Sequence, residues 1–181
     1  MRFPFFRPLV AVLVLSGCLP EPRPAPAPAR VSRPTPAAPA PRPVETGYAS
    51  MERRILVLVN EERRRHDLPE LVLNSRLDQA AKLHAQNMAK FRKMAHVIPE
   101  SQLPTLTHRA QHVAYYYASI AENIALGYPD AEGVVRGWMD SPGHRRNILS
   151  RESVEIGTGV VSSASGGLYF CQVFGRQRTS I

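Results

Sequence analysis

One carboxylate in this chain of 181 residues stands where a carboxylate is costly. The stretch Ile120-Ala121-Glu122-Asn123-Ile124-Ala125-Leu126 reads as a strand, in which Ile120, Glu122, Ile124 and Leu126 share a face. A charged group among three aliphatic side chains must be paired, hydrogen-bonded or bound to metal. Glu122 therefore needs a partner, either in a functional site or in a structural pair with an arginine. Partial burial would raise its pKa, and a cationic neighbour would lower it. Asn123 faces the other way, where it can satisfy loop backbone.

His144 is the second residue placed for chemistry. It follows Ser141-Pro142-Gly143 at the end of a helix containing Trp138, and Pro142 and Gly143 predict a tight turn that holds the imidazole. A rigidly held His is a better ligand or acid–base group than one on a mobile loop. His84 lies on the apolar face of its own helix and reads as a packed core residue. His108 and His112 are four apart and would share a helical face, a spacing that suits metal, but no acidic third ligand is evident nearby. There is no His-Glu-x-x-His, no Gly-x-Ser-x-Gly and no phosphate-cradling glycine loop.

The elements that must position these residues follow from periodicity. Residues 48–66 read as a helix, with Ile55, Leu58, Val59 and Glu62 at helical spacing and Glu61, Arg63, Arg64 and Arg65 on the far side. Asn74 or Ser75 caps a second helix that runs to about Phe91, with Leu77, Ala81, His84 and Met88 on one face. Residues 92–117 are irregular, punctuated by Pro99 and Pro104. Asp130 caps a helix through Met139. Residues 154–161 and 168–174 flank a Ser- and Gly-rich hairpin loop. The second of these strands is apolar on both faces and so wants cover on both sides. Helices ahead of a doubly buried sheet predict an α/β fold, a three-layer α-β-α sandwich around a small central sheet.

The N-terminal third is of a different kind. Arg2 and Arg7 precede a short apolar run, Leu9 to Leu15, and then Leu15-Ser16-Gly17-Cys18. This is the pattern of a secretory signal over residues 1–17, and the run is far short of the ~20 residues a spanning helix needs. The last four residues resemble a bacterial lipobox, which implies lipidation of Cys18 and attachment to a membrane; an ordinary signal peptide with an incidental Cys is the alternative. Acyl burial contributes ~0.8 kcal/mol per CH₂, so stable anchoring needs more than one chain. Leu19 rather than Asp after the Cys leans towards an outer membrane in a cell that has one. Residues 18–47 hold ten of the 17 prolines, and this predicts an extended spacer with a reach of at most ~90 Å.

Residues 48–181 then form one domain. Of the chain's +8 charge, this domain carries +4, with 17 Lys and Arg against 13 Asp and Glu. With no aromatic-interleaved basic stripe, such a balance excludes a nucleic-acid binder. If Cys18 is acylated, Cys171 is the one cysteine left and reads as a small buried hydrophobe.

Blocks along the domain resemble bacterial members of the CAP superfamily (SCP-like, cysteine-rich secretory, antigen 5 and PR-1 proteins). They include Val59-Asn60-Glu61-Glu62-Arg63, Glu122-Asn123-Ile124-Ala125, Trp138-Met139-Asp140-Ser141-Pro142-Gly143-His144-Arg145 and Gln172-Val173-Phe174-Gly175. The resemblance implies an α-β-α sandwich, a secreted or surface location, and a cleft with two His and two Glu that binds divalent metal in some members. Carried over, the cleft residues are His96, Glu122 and His144, with Ser141 where the second Glu belongs. His96, Glu122 and His144 would be the ligands of a divalent ion such as zinc. Two functions are then open. One is a tethered module whose cleft binds a metal, a lipid or an envelope component. The other is a metal-assisted hydrolase of envelope protein or peptidoglycan, for which the incomplete set leaves no second carboxylate as general base.

Overall fold

The computed structural model describes residues 47–179. The expected signal peptide, Cys18 and nearly all of the proline-rich segment expected as a spacer lie outside the described residues. The elements are α1 (Gly47–Arg65), β1 (Val72–Leu73), α2 (Ser75–Phe91), α3 (Leu106–His112), β2 (Tyr117–Leu126), α4 (Ala131–Asp140), α5 (Pro142–Ile148), β3 (Glu155–Ser162) and β4 (Leu168–Gln177). No described helix is long and apolar enough to cross a membrane.

The four strands form one sheet in the order β1-β3-β4-β2, with β4 antiparallel to both β3 and β2 and β1 parallel to β3. Alternation along β4 divides the core in two, as the apolar pattern on both faces of this strand predicts. Phe170 and Phe174 pack with Ile55, Val59, Val134 and Trp138 of α1 and α4 on one side. Tyr169, Cys171 and Val173 pack with Leu77, Ala81 and Met88 of α2 on the other. The architecture is the expected α-β-α sandwich. The two-residue β1 escaped the sequence reading because a strand so short has no period to detect.

Two glycines let α2 approach the sheet closely. A Cβ on Gly157 would lie 2.1 Å from the backbone nitrogen of Asp78, and one on Gly159 would lie 2.5 Å from that of Lys82. The helix backbone rests directly on β3 at these points. β1 covers only the first residues of β3, and side chains finish its edge: Asp78 Oδ1 accepts from Thr158 N at 2.8 Å and Glu52 Oε1 from Val160 N at 3.1 Å. These carboxylates satisfy donors that an open strand edge would present to another chain.

Three local expectations change. Arg63, expected on the far side of α1, is buried and donates to the carbonyls of Pro69, Ile148 and Ser150. Its guanidinium thus satisfies the C-terminal end of α5. Residues 92–117 contain a helix, α3, capped by Thr105, whose side chain accepts from His108 N. The tight turn expected at His144 is instead the first turn of α5: Ser141 ends α4, Pro142 starts the next helix, and His144 lies two residues further on. A proline at the first helical position costs no hydrogen bond, so it stops one helix and begins another.

Gly157→Ala should destabilise the domain by on the order of 1–3 kcal/mol or more, because the added methyl meets helix backbone rather than a side chain that can turn away. Urea unfolding of the variant beside the parent measures this; an unchanged midpoint would contradict the packing.

Candidate functional site

β2 is an edge strand of the sheet, and its two central polar residues point to opposite faces. Glu122 lies opposite Val173 on the α2 side, and Asn123 lies opposite Gln172 on the α5 side. Each polar residue organises one wall.

Glu122 is buried and has four neighbours. Arg109 donates from Nη2 to Oε2 at 2.6 Å, and His96 Nδ1 lies 2.9 Å from Oε1. His84 Nε2 is 3.6 Å from Oε1, and the Cys171 thiol reaches Oε2 at 3.5 Å. An ionised carboxylate only accepts, so a His96 proton sits on Nδ1; Nε2 then carries a lone pair in the neutral ring and an N–H in the protonated one. His96 is 56% exposed at its side chain, whereas Arg109 is 0% exposed.

Two elements bring these groups in. α3 presents Leu106, Arg109, Ala110 and Val113 at helical spacing, so Arg109 occupies a core position of an otherwise apolar face. The loop that carries His96 is pinned by the buried Ile98, whose N–H donates to Pro104 O at 3.1 Å.

Asn123 builds the opposite wall. Its Nδ2 donates to His144 O at 3.2 Å and to Gln172 Oε1 at 3.3 Å. Asn147 Nδ2 returns a bond to Asn123 Oδ1 at 2.8 Å and reaches Glu122 O at 3.3 Å. α5, and with it His144, is therefore fixed to the backbone of the Glu122 strand. Ser141 caps the start of α5 without a side-chain hydrogen bond to the helix. His108 and His112 lie on the exposed surface of α3.

The protonation states follow from these contacts. Burial would push the Glu122 carboxyl up, but the His96 hydrogen bond and the charges of His84 and Arg109 outweigh it and hold it below the ordinary range. His96 is raised by its bond to Glu122, against the effect of burial. Burial, together with the charge of His96, lowers His144. Burial drives His84 down to about 4, with Glu122 opposing. At neutral pH His84 is neutral, and Arg109 is the fixed cation beside Glu122. The Cys171 thiol is pushed up by burial and by Glu122 and stays protonated.

A metal ion held by His96, Glu122 and His144 would need a carboxylate oxygen free to ligate. Both oxygens of Glu122 face protein donors, and among the described residues no three His, Cys, Asp or Glu side chains are grouped as a metal site requires. As arranged, the three-ligand set does not fit. The Nε2 of His96 and the ring of His144 remain for a ligand. The sequence reading missed Arg109 and the direction of His84. An arginine at the second position of an i, i+3, i+4, i+7 apolar series was the available signal for the first.

The imidazoles should titrate in a fixed order in an NMR pH series: His96 above and His144 below the ordinary 6.5, and His84 neutral until about 4. Since His84 and Glu122 have depressed folded pKa values, their stability contributions are present at neutral pH. The His84 part is lost as pH falls from 6.5 towards about 4, and the Glu122 part goes below 4.5. The His96 contribution runs the other way: it is present below 6.5 and lost as pH rises through the raised value. His144 titrating above His96 would contradict the geometry.

Comparison with known proteins agrees with this fold. Residues 56–174 match the family described as CAP, cysteine-rich secretory protein family. The uncharacterized protein YkwD of Bacillus subtilis is 33% identical over 117 residues, 65% of this chain and 45% of that protein. An extracellular protein containing a SCP domain from Bacillus anthracis superposes with a TM-score of 0.66 at 29% identity, over 72% of this chain and 41% of that one. An outer surface protein of Borrelia burgdorferi has a TM-score of 0.65 at 20% identity, over 71% of this chain and 94% of that one, a likeness of fold. The chain spans less than half the length of both Bacillus proteins. With most of the domain matched and the sandwich in place, the chain belongs to the CAP family.

Proposed function

We propose that the protein is an extracytoplasmic CAP module, tethered to a membrane through lipid on Cys18, whose cleft at His96 and His144 binds a ligand without turning it over. The observation that carries this reading is the state of Glu122. Its two oxygens are taken by Arg109 and His96, so it is a poor general base, and Ser141 stands where the family resemblance would put a second carboxylate. General base catalysis requires a group within hydrogen-bond reach of the proton it takes, with capacity to accept it. This weighs against the hydrolase reading. The two imidazoles, by contrast, offer an exposed ring on His96, whose Nε2 accepts when the ring is neutral and donates when it is protonated, and a half-buried ring on His144.

The ligand class is an envelope component, lipid or cell wall, or a divalent cation held by imidazoles alone. Such a cation would supply Lewis acidity to a bound oxygen group. Glu122 would then stand behind His96, orienting its ring as a carboxylate behind a metal-ligating imidazole does. Location outside the cytoplasm is supported by the signal-like N-terminus and by the extracellular and outer-surface relatives.

Two experiments test the proposal. Cys18→Ala should move the protein from the membrane fraction to the soluble one; retention in the membrane would overturn the tether. The full chain should bind native envelope preparations, or Zn²⁺ alone, with at least roughly tenfold loss in the His96→Ala/His144→Ala double variant, a change of about 1.4 kcal/mol. Binding that ignores both imidazoles, or His144-dependent cleavage of protein or peptidoglycan, would overturn it.

A further inference from the structure

We propose that Arg109 is the resident cation of this site: it takes the side of Glu122 that a divalent ion would need, and it positions the carboxylate and His96 without metal. This concerns how the Glu122 site is held, and the first arm of its test needs no ligand, so its failure is separable from that of the binding reading.

Four observations support it. First, Arg109 is fully buried and meets Glu122 Oε2 at 2.6 Å, a charge-assisted contact slightly shorter than the usual range. Second, other groups crowd the carboxylate: His96 Nδ1 bonds Oε1 and the Cys171 thiol reaches Oε2, while His84 Nε2 stands 3.6 Å from Oε1, too far for a hydrogen bond. Two imidazoles, a thiol and a carboxylate meet here, yet among the described residues they are not grouped as a metal site requires. Here the centre is served by a guanidinium instead, and the thiol stays protonated. Third, Arg109 Nη1 also reaches the carbonyls of Leu103 and Pro104, both at 3.4 Å, at the end of the loop that carries His96. One side chain thus connects α3, the His96 loop and β2. Fourth, His84 would be cationic in a metal-free site without Arg109 only at the cost of its own desolvation; its full burial among Leu77, Ala81 and Met88 disfavours that role. A guanidinium, always charged and weakly hydrated, suits a buried pair.

Arg109 acts through Glu122 and is a positioning residue. With its charge in place, Glu122 remains an acceptor for the His96 Nδ1 proton, and the exposed His96 ring keeps its orientation. Without it, the carboxylate is a buried charge with one exposed, titratable partner.

The test is a double-variant cycle on the full chain with thermal melts and imidazole NMR. Arg109→Met should melt roughly 10 °C lower, and the His96 signals should lose their Nδ1-protonated signature. Arg109→Lys should recover part of both. Arg109→Met/Glu122→Gln should melt higher than Arg109→Met alone, because the stranded charge has gone. Should Arg109→Met fail to fold, adding Glu122→Gln should restore folding. A double variant no more stable than Arg109→Met would overturn the proposal. Excess Zn²⁺ provides the second arm. The parent should show no shift that depends on Glu122; a shift that Glu122→Gln leaves intact belongs to the imidazoles and upholds the assignment. A Zn²⁺ stabilisation abolished by Glu122→Gln would show Glu122 leaving Arg109 for the metal and would overturn it.

Discussion

The ion pair between Arg109 and Glu122 is the interaction on which the rest of the site depends. Both groups are buried, and charges removed from water are held only by excellent geometry and by further hydrogen bonds to the remaining lone pairs. Here the second oxygen is met by His96, with His84 and the Cys171 thiol close by. Removing one member of such a pair costs about 3–5 kcal/mol, since it strands the other. A domain of this size has only ~5–15 kcal/mol in total, so the pair constrains the chain strongly.

Much of the sandwich can be understood as the frame for that pair. Gly157 and Gly159 let α2 lie on β3, and this close approach brings His84 against Glu122. Ile98 anchors the irregular loop so that His96 closes over the carboxylate from outside. On the other face, Asn123 and Asn147 fasten α5 to the same strand. Adjacent residues of one edge strand therefore determine both walls: Glu122 holds the His96 wall and Asn123 holds the His144 wall. Buried Arg63 secures the far end of α5 through backbone carbonyls alone. The fold does this without a disulfide among the described residues, where Cys171 is a free, buried thiol.

The layering was legible in the sequence because β4 is apolar on both faces, and a strand like that has one physical remedy, cover on both sides. That Glu122 needs a partner was also legible, from three aliphatic neighbours in period two. The partner's identity was not. Arg109 sits in a region where prolines break the periodicity, and a seven-residue helix shows its pattern only once its ends are known. His84 was read correctly as buried, but helical spacing gives the face of a residue and not the group it meets across the sheet. His144 was placed on a turn because Pro142 was read as a stop. The role of Pro142 as the first residue of α5 depends on the residues after it, and Arg145-Arg146-Asn147-Ile148 carries little apolar signal. The site residues were thus largely identifiable, while their charge balance required the three-dimensional arrangement.

That balance bears on function. A site whose carboxylate is already neutralised would present imidazoles rather than an acid–base pair, and this supports the proposed recognition over hydrolysis. The most direct measurement is a crystal structure of the protein soaked in Zn²⁺. The account predicts that Glu122 Oε2 stays on Arg109 Nη2 and that any bound ion lies beyond His96 Nε2, towards His144. A structure in which Glu122 has turned from Arg109 to ligate the ion together with His96 and His144 would contradict it.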